Sequence, residues 1–212
     1  MMRNKIVTNK PKISTGIAGL ILAGGRARRM EGQDKGWLRL VGISLIERCV
    51  VNLSPQVDRL LISANRNIAD YERLGFPVLQ DSVGEYQGPL AGLQRALAMS
   101  PEMPVQVVPC DAPLFPKQLA GRLFRAYRDN GGITAVPHDG TRLQPLFALF
   151  PPATLISLNE YLDAGQRKVE TWVTSLPHTV VDFSDQADSF MNINTEDDLQ
   201  RAESWLEAHT SC

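Results

Sequence analysis

Short apolar runs alternate with segments of helical spacing through the first 130 residues of the chain. The apolar runs predict strands, at 16–23, 57–63, 76–79 and 105–108. The segments between them predict helices, at 44–53, 67–74, 89–99 and 116–130. Short strands that alternate with helices are typical of an α/β fold. We therefore expect a mostly parallel central sheet with helices on both faces.

The remainder of the chain is less regular, but it contains both kinds of element. Strands are predicted at 133–136, 145–150 and 180–183. Helices are predicted at 154–164, at 169–175, and from Thr195 onward, where Thr195 and Asp198 have capping-box spacing. We expect a single domain over 16–212. The preceding residues, 1–15, contain basic side chains and no acid, and they predict a disordered N-terminal extension.

Composition and charge narrow the class of protein. Hydrophobic residues make up 43% of the chain, which is enough for a sizeable core, and the formal net charge is −1. That charge argues against a general nucleic-acid binder, and no segment approaches the roughly 20 apolar residues of a membrane span. The three cysteines, Cys49, Cys110 and Cys212, form no CxxC pair, so reduced thiols are expected rather than a zinc site or disulfides.

Polar residues follow four successive predicted strands. Gly24 and Gly25 follow the first strand, Asn65 the second, Asp81 the third and Asp111 the fourth. In an open parallel sheet, ligands bind beyond the carboxyl ends of the strands. Each of these residues alone is equally explained by a turn. Together they predict a ligand site at one edge of the sheet.

The loop after the first strand has the composition of a phosphate-binding loop. It is LAGGRARRM over 22–30, and a DK dipeptide follows at 34–35. Glycines let backbone N–H groups approach phosphate oxygens, and cationic side chains neutralise their charge. Among the arginines, Arg29 is favoured as functional over Arg26 and Arg28; a solvated basic turn is the alternative. The loop matches neither the Walker A motif nor the GxGxxG motif.

This loop with its DK dipeptide resembles the signature of the NTP-transferase superfamily, specifically of the molybdenum cofactor guanylyltransferases. The similarity continues through five further blocks, which are SANRN at 63–67, QDSVGEYQGPLAGL at 80–93, PCDAP at 109–113, VDFSD at 181–185 and FMNINT at 190–195. The resemblance implies a single Rossmann-like nucleotidyltransferase domain. It also implies Mg²⁺-dependent transfer of GMP from GTP to molybdenum-molybdopterin, with release of pyrophosphate.

The resemblance assigns a role to each residue that matches a motif. Leu22, Ala23 and Gly24 would line the nucleotide site, and Gly25 and Arg29 would face the triphosphate. Lys35 would contact phosphate, Asp81 would recognise the base, and Asp111 would bind Mg²⁺. Asn192 and Asn194, which alternate as on a strand, would lie near the acceptor pterin. Arg29, Lys35 and Asp111 would be the catalytic residues.

One position departs from the family pattern. The family often has asparagine where this chain has Ser63, so an NAN pattern becomes SAN here, while Asn65 is retained. The resemblance implies that Ser63 and Asn65 contact the nucleotide, and at position 63 a serine would have to make the base contact expected of asparagine.

Elementary chemistry supports the same reaction. A phosphate-monoester acceptor is already ionised near neutral pH, so catalysis requires charge neutralisation and alignment more than a general base. No convincing histidine–carboxylate pair occurs in the sequence, in keeping with this chemistry. A carboxylate at Asp81 accepts from the N1–H and N2–H₂ donors of guanine together, and cytosine offers no matching pair, which favours GTP over CTP.

Three other functions compete with guanylyl transfer. They are cytidylyl transfer to the same cofactor, nucleotidyl transfer to a sugar phosphate, and non-catalytic nucleotide binding in a cofactor-delivery protein. Lys35 and Asp111 together argue against the last, because binding alone would not require both. The expected location is the cytoplasm. The expected partners are molybdenum-insertion proteins and acceptor molybdoenzymes or their chaperones, with no nucleic-acid or membrane partner.

Overall fold

Strands and helices alternate along the chain in the computed structural model, which describes residues 16–23, 34–80 and 88–210. The strands are β1 (Ala18–Leu22), β2 (Arg39–Leu40), β3 (Ile43–Ser44), β4 (Arg59–Ser63), β5 (Val78–Leu79), β6 (Val105–Pro109), β7 (Thr134–His138), β8 (Leu149–Phe150) and β9 (His178–Asp182). The α-helices are α1 (Leu45–Leu53), α2 (Ile68–Glu72), α3 (Pro89–Ala98), α4 (Leu119–Asp129), α5 (Thr154–Asp163), α6 (Val169–Ser175) and α7 (Glu196–Thr210). Short 3₁₀ segments occupy Lys35–Trp37, Ser54–Gln56, Pro145–Phe147 and Ser184–Phe190.

A seven-stranded sheet, in the order β5-β4-β1-β6-β8-β7-β9, forms the centre of the molecule. Strand β1 pairs in parallel with β4 and β6, and β4 pairs in parallel with β5. Strand β8 is antiparallel to both of its neighbours, and β9 is parallel to β7. The predicted mostly parallel sheet is confirmed.

Helices cover both faces of this sheet. One face packs against α1, α2 and α4 through a buried cluster that includes Ile46, Tyr71 and Leu123. The other face packs against α3, α5 and α6 through a second cluster that includes Leu93 and Trp172. A strand buried on both faces requires apolar side chains on both, which explains the continuous apolar run of β1.

A third, smaller cluster lies outside the main sheet. Strands β2 and β3 form an antiparallel hairpin, which packs against α7 through Leu40, Ile193 and Ala202. The hairpin turn consists of Val41 at φ 47° and Gly42 at φ 76°. Left-handed conformation at both central residues is what a two-residue hairpin turn requires. This hairpin was not among the predicted elements.

Most predicted elements are present, with shifts of up to three residues at their ends. The predicted strand over 145–150 is wrong in its first half, since Pro145–Phe147 forms a 3₁₀ turn and only Leu149–Phe150 forms a strand. The fixed φ of proline suits the first turn of a helix, and a hydrogen bond from Phe147 N to Gln144 O closes that turn.

The predicted capping box at α7 is confirmed. Asp198 N donates to Thr195 Oγ1 at 3.2 Å, and Thr195 N donates to Asp198 Oδ2 at 3.0 Å. The predicted N-terminal extension, residues 1–15, lies outside the described residues. Within the residues that the structure describes, no helix is long and apolar enough to cross a membrane.

Candidate active site

The carboxyl ends of four parallel strands lie in register at one edge of the sheet. Leu22 of β1 pairs with Ser63 of β4 and with Pro109 of β6, and Ser63 pairs with Leu79 of β5. Hydrogen bonds continue this alignment past the strands, from Ala23 N to Ser63 O at 2.8 Å and from Cys110 N to Leu22 O at 3.0 Å. The residues that follow the strands therefore emerge side by side.

Several of the predicted site residues are found at this edge. Leu22 ends β1, Ala23 follows it, and Asn65 is exposed two residues beyond β4. Asp111 follows β6. The other predicted residues of this edge lie outside the described residues, and they are Gly24, Gly25, Arg29 and Asp81.

Lys35, Asp111 and Asn194 form the polar centre of the edge. The Lys35 ammonium lies 3.4 Å from Asp111 Oδ2 and donates a hydrogen bond to Asn194 Oδ1. The side chains of Lys35 and Asp111 are 20% and 30% exposed, so a ligand can still reach both. The fold thus brings together three residues for which the resemblance gave roles with phosphate, metal and acceptor.

Asp111 is joined to the segment that carries Asn194 through the backbone. Ile193 N donates to Asp111 O at 2.7 Å, and the Ile193 side chain is fully buried in the third cluster. Asn192 and Asn194, on either side of Ile193, are both exposed. The expectation that they alternate on a strand is wrong, because this segment belongs to no strand. The burial of Ile193 between them is what leaves both asparagines exposed.

The start of α7 holds the backbone of Asn194 in place. Asp198 Oδ2 accepts from Asn194 N at 2.9 Å and from Thr195 N at 3.0 Å. These hydrogen bonds, first among them the one from Asn194 N, lower the pKa of the Asp198 carboxyl to about 2. Asp198 is therefore ionised at neutral pH, which strengthens both bonds.

The VDFSD block anchors the chain before this segment. Arg122 of α4 donates to both carboxylate oxygens of Asp185 at 3.1 Å and also donates to Asp182 O. Its guanidinium lies 3.9 Å from the centroid of the Phe183 ring, and Phe183 packs edge-on against Phe190. These contacts fix the chain that leads into residues 191–194.

Ser63 is buried beneath helix α3. It is 5% exposed, and a Cβ added at Gly92 of α3 would lie only 2.4 Å from its hydroxyl oxygen. Asn65 is exposed, so of these two predicted nucleotide contacts it is Asn65 that is placed to meet a ligand.

Four residues for which the sequence gives no functional role form a hydrogen-bond network next to Lys35. Asp34 accepts hydrogen bonds from Gly36 N at 3.1 Å, from the Tyr71 hydroxyl at 2.8 Å and from Asn67 Nδ2 at 3.0 Å. Asp34 and Asn67 lie within blocks that carry the resemblance, but spacing alone gives them no role. Tyr71 lies in a predicted helix, and nothing in the sequence shows which way it points.

The described cysteines are packing residues. Cys49 and Cys110 are free and buried, and Cys49 Sγ donates to Cys110 O at 3.7 Å. Burial raises the pKa of both thiols, so they stay protonated. Cys212 lies outside the described part of the chain.

Comparison with known proteins shows similarity over most of the chain. The family model of the MobA-like NTP transferase domain matches residues 19–180. A molybdenum cofactor guanylyltransferase from Shewanella sp. (strain MR-4) is 42% identical over 189 residues, which cover 89% of this chain and 96% of that protein. Another molybdenum cofactor guanylyltransferase, from Shewanella woodyi, is 40% identical over the same shares of the two chains.

Solved structures share the fold. Molybdopterin-guanine dinucleotide biosynthesis protein A from Archaeoglobus fulgidus superposes with a TM-score of 0.74 and 24% identity, over 90% of this chain and 99% of that chain. The 2-C-methyl-D-erythritol 4-phosphate cytidylyltransferase from Thermus thermophilus superposes with a TM-score of 0.66 and 19% identity, over 90% of this chain and 98% of that chain. At such identities the likeness shows a common fold.

Proposed function

Because the chain belongs to the MobA-like NTP transferase family, we propose that it transfers GMP from GTP to molybdenum-molybdopterin, forming the guanine dinucleotide cofactor and releasing pyrophosphate. One observation supports this most strongly. Lys35, Asp111 and Asn194 meet at the carboxyl edge of the sheet, in a chain 42% identical to a molybdenum cofactor guanylyltransferase. The family supports the proposed reaction, and the cluster supports the proposal that this reaction takes place at the carboxyl edge of the sheet.

The bond changes of this reaction are simple. An oxygen of the acceptor phosphate attacks the α-phosphorus of GTP, and a new phosphoanhydride bond forms. The bond from the α-phosphorus to the bridging oxygen breaks, and pyrophosphate leaves with the electron pair. The attacking phosphate is already ionised near neutral pH, so the protein contributes mainly alignment and charge neutralisation.

Lys35 is suited to neutralise phosphate charge. An ammonium group has three N–H donors and no acceptor. Counting only partners in the described part of the chain, two of these donors are directed at Asp111 and Asn194, which leaves a third for a phosphate oxygen. The two protein contacts hold the long, flexible side chain at the strand ends, which lowers the entropy lost when the substrate binds.

Asp111 is suited to hold Mg²⁺. This ion is commonly bound by one or two carboxylates together with substrate phosphates and water. Asp111 is a partly exposed carboxylate at a strand end, and the described residues contain no group of three or more His, Cys, Asp or Glu side chains that would form a closed metal cage. When bound, the ion would neutralise charge on the phosphates.

The other assignments of the site belong to the same proposal. Leu22, Ala23 and Asn65 line the nucleotide side of the edge, and Asn192 and Asn194 face the acceptor. For Gly24, Gly25, Arg29 and Asp81, which lie outside the described residues, the sequence-based roles stay predictions. The cytoplasmic location and the delivery partners also stay predictions.

Replacing Asp111 tests the proposal directly. Asp111→Asn removes the negative charge and keeps the size of the side chain, so we expect turnover with Mg-GTP and molybdenum-molybdopterin to fall about 100-fold or more. GTP binding measured in EDTA should change little. Pyrophosphate release and the dinucleotide product are followed together.

Asp129→Asn is the matched control, because Asp129 is an exposed carboxylate at the C-terminal end of α4. It should leave turnover unchanged. Full turnover in Asp111→Asn would remove the metal assignment. Wild-type protein that binds GTP but forms no product with a competent acceptor would instead support a cofactor-delivery protein.

A further inference from the structure

The carboxylate of Asp34 joins three parts of the molecule beside the candidate active site. Its Oδ1 atom accepts from Gly36 N, in the 3₁₀ turn, and from the Tyr71 hydroxyl, in α2. Its Oδ2 atom accepts from the side chain of Asn67, which precedes α2. Asp34 is also the N-cap of the 3₁₀ turn Lys35–Trp37. The backbone of Lys35 therefore lies between Asp34 and Gly36, and the Asp34 side chain bridges the two by its hydrogen bond with Gly36 N.

Tyr71 gives this arrangement a rigid base. Its side chain is fully buried in the first core cluster, and its ring lies 5.2 Å from that of Trp37. Burial raises the pKa of the Tyr71 hydroxyl far above its ordinary value, so the group remains a proton donor to Asp34 at any pH of interest. Through this hydrogen bond, the buried Tyr71 fixes the position of the Asp34 carboxylate relative to the core of the protein.

Gly36 allows the turn to approach this hydroxyl. A Cβ atom at position 36 would lie 2.3 Å from the Tyr71 hydroxyl oxygen, which is closer than real Cβ contacts permit. The turn therefore rests directly on the tyrosine. A displaced hydroxyl would move the turn, and with it the start of the Lys35 side chain.

The Asp34 carboxylate and the Lys35 ammonium have different hydrogen-bond partners. The ammonium contacts Asp111 and Asn194, whereas the carboxylate holds Gly36, Asn67 and Tyr71. Among the described residues, the carboxylate is thus placed to influence a bound phosphate by fixing the backbone from which the Lys35 side chain extends. A small displacement of a catalytic group is enough to lower the rate greatly.

We infer that Asp34, held by Tyr71 and Asn67, is a positioning residue that aims Lys35 at the triphosphate. The inference rests on the proposed function, since it takes Lys35 to contact phosphate. A merely structural Asp34 network would lower stability without changing the kinetics of the folded protein. A positioning network changes the kinetics and does so only when Lys35 is present.

A double-mutant cycle between Tyr71 and Lys35 separates these two roles. Tyr71→Phe removes only the hydroxyl, Lys35→Ala removes the ammonium, and the third variant combines both. For each, kcat and KM for GTP, the dissociation constant of Mg-GTP and the thermal midpoint are measured at a temperature where every variant is folded. Tyr127→Phe is the control, because Tyr127 lies near the C-terminal end of α4, where the chain turns back into the sheet.

The expected results follow from coupling through Lys35. Tyr71→Phe should lower kcat/KM for GTP about ten-fold, and Lys35→Ala should lower it about 100-fold. In the Lys35→Ala background, Tyr71→Phe should have no further effect on kcat/KM. Tyr127→Phe should match the wild type. Asn67→Gly, which keeps the left-handed backbone conformation at φ 49° and removes one donor to Asp34, should give a smaller loss with the same dependence on Lys35.

Three results would overturn the inference. Equal losses of kcat/KM from Tyr71→Phe with and without Lys35 would show that the network acts independently of Lys35. A lower thermal midpoint with unchanged kinetics would show a structural role only. If Tyr71→Phe does not fold, Asn67→Gly decides by the same comparison. If Lys35→Ala turns over GTP like the wild type, the proposed use of Lys35 is wrong and the positioning role with it. If no variant or wild type shows turnover, the same cycle on the Mg-GTP dissociation constant still decides whether the network acts through Lys35.

Discussion

Gly92 shows how tightly single residues pack behind the candidate active site. A Cβ atom there would lie 2.4 Å from Ser63 Oγ and 3.0 Å from Leu22 Cδ2. Helix α3 can therefore approach the ends of β1 and β4 only because position 92 has no side chain. Gly92, which lies in the block at 80–93 that carries the family resemblance, is thus explained by packing. The close approach of α3 is also the reason that Ser63 is covered.

Substituting Gly92 tests this packing. Gly92→Ala introduces a methyl group into occupied space, while Gly121→Ala, at an exposed position of α4, introduces one where no atom lies within 4 Å. Both variants gain the same helix propensity, so their difference isolates the overpacking. We expect Gly92→Ala to be less stable than Gly121→Ala by about 1–3 kcal/mol in urea unfolding. Equal stabilities would show that α3 can move away from Ser63 at no cost.

Individual residues were only partly predictable from the sequence. The carboxylate after β6 was predicted to lie at the site, because strand ends of a parallel sheet share an edge. The burial of Ser63 was not predictable, because a serine at a strand end can either face a ligand or lie beneath a helix. The position of α3 decides between these outcomes, and it depends on contacts distant in sequence.

At the scale of elements, the start of α7 contributes both to the stability of the fold and to the position of a candidate active-site residue. Asp198 accepts from the backbone N–H groups of Asn194 and Thr195, so one carboxylate both caps the helix and fixes the residue that contacts Lys35. Its pKa of about 2 lies below the ordinary value of 3.8. A lowered pKa in the folded protein stabilises the fold at pH values above the unfolded pKa. That stabilisation is lost as the pH falls toward the folded pKa.

Replacing Asp198 should therefore have a pH-dependent effect. Asp198→Ala removes the acceptor and should lower the free energy of unfolding by about 1–2 kcal/mol near neutral pH. The difference from the wild type should be constant above about pH 5 and shrink between about pH 5 and pH 2. Asp197→Ala, at an exposed position of the same first turn, should show neither effect. Urea unfolding at several pH values measures this, and a difference that does not change with pH would contradict the capping account.

The elements themselves were predicted well where the pattern is regular. Parallel strands buried on both faces give continuous apolar runs, as in β1 and β6, and amphipathic helices give clear spacing. The β2–β3 hairpin gave no such signal. Its turn places the β-branched Val41 in a left-handed conformation, where asparagine or glycine is the usual residue, so the sequence did not mark it.

At the scale of the whole molecule, the fold brings an early and a late segment of the chain together at one edge of the sheet. Lys35 and Asn194 lie 159 positions apart, yet they are joined by a hydrogen bond. The hairpin and α7 make this possible, because they bury Ile193 between them and hold its flanking asparagines over the strand ends. A single sequence shows that such residues are suited to a site, but not that a C-terminal segment closes it.

The fold as a whole does not determine which nucleotide is used. Solved structures of this fold include a molybdopterin-guanine dinucleotide biosynthesis protein and cytidylyltransferases. We expect base choice to depend on individual side chains rather than on the fold, and the sequence predicts this role for Asp81, which lies outside the described residues. The relatives that are 40–42% identical are guanylyltransferases, which supports GTP.

A competition among nucleotides tests the central claim most directly. Wild-type protein is given equimolar ATP, GTP, CTP and UTP with Mg²⁺ and molybdenum-molybdopterin, and the dinucleotide product is identified by mass while pyrophosphate is followed. We expect the guanine dinucleotide alone, formed with one pyrophosphate per product. A cytosine dinucleotide, or no dinucleotide with an acceptor that a known guanylyltransferase converts, would contradict guanylyl transfer.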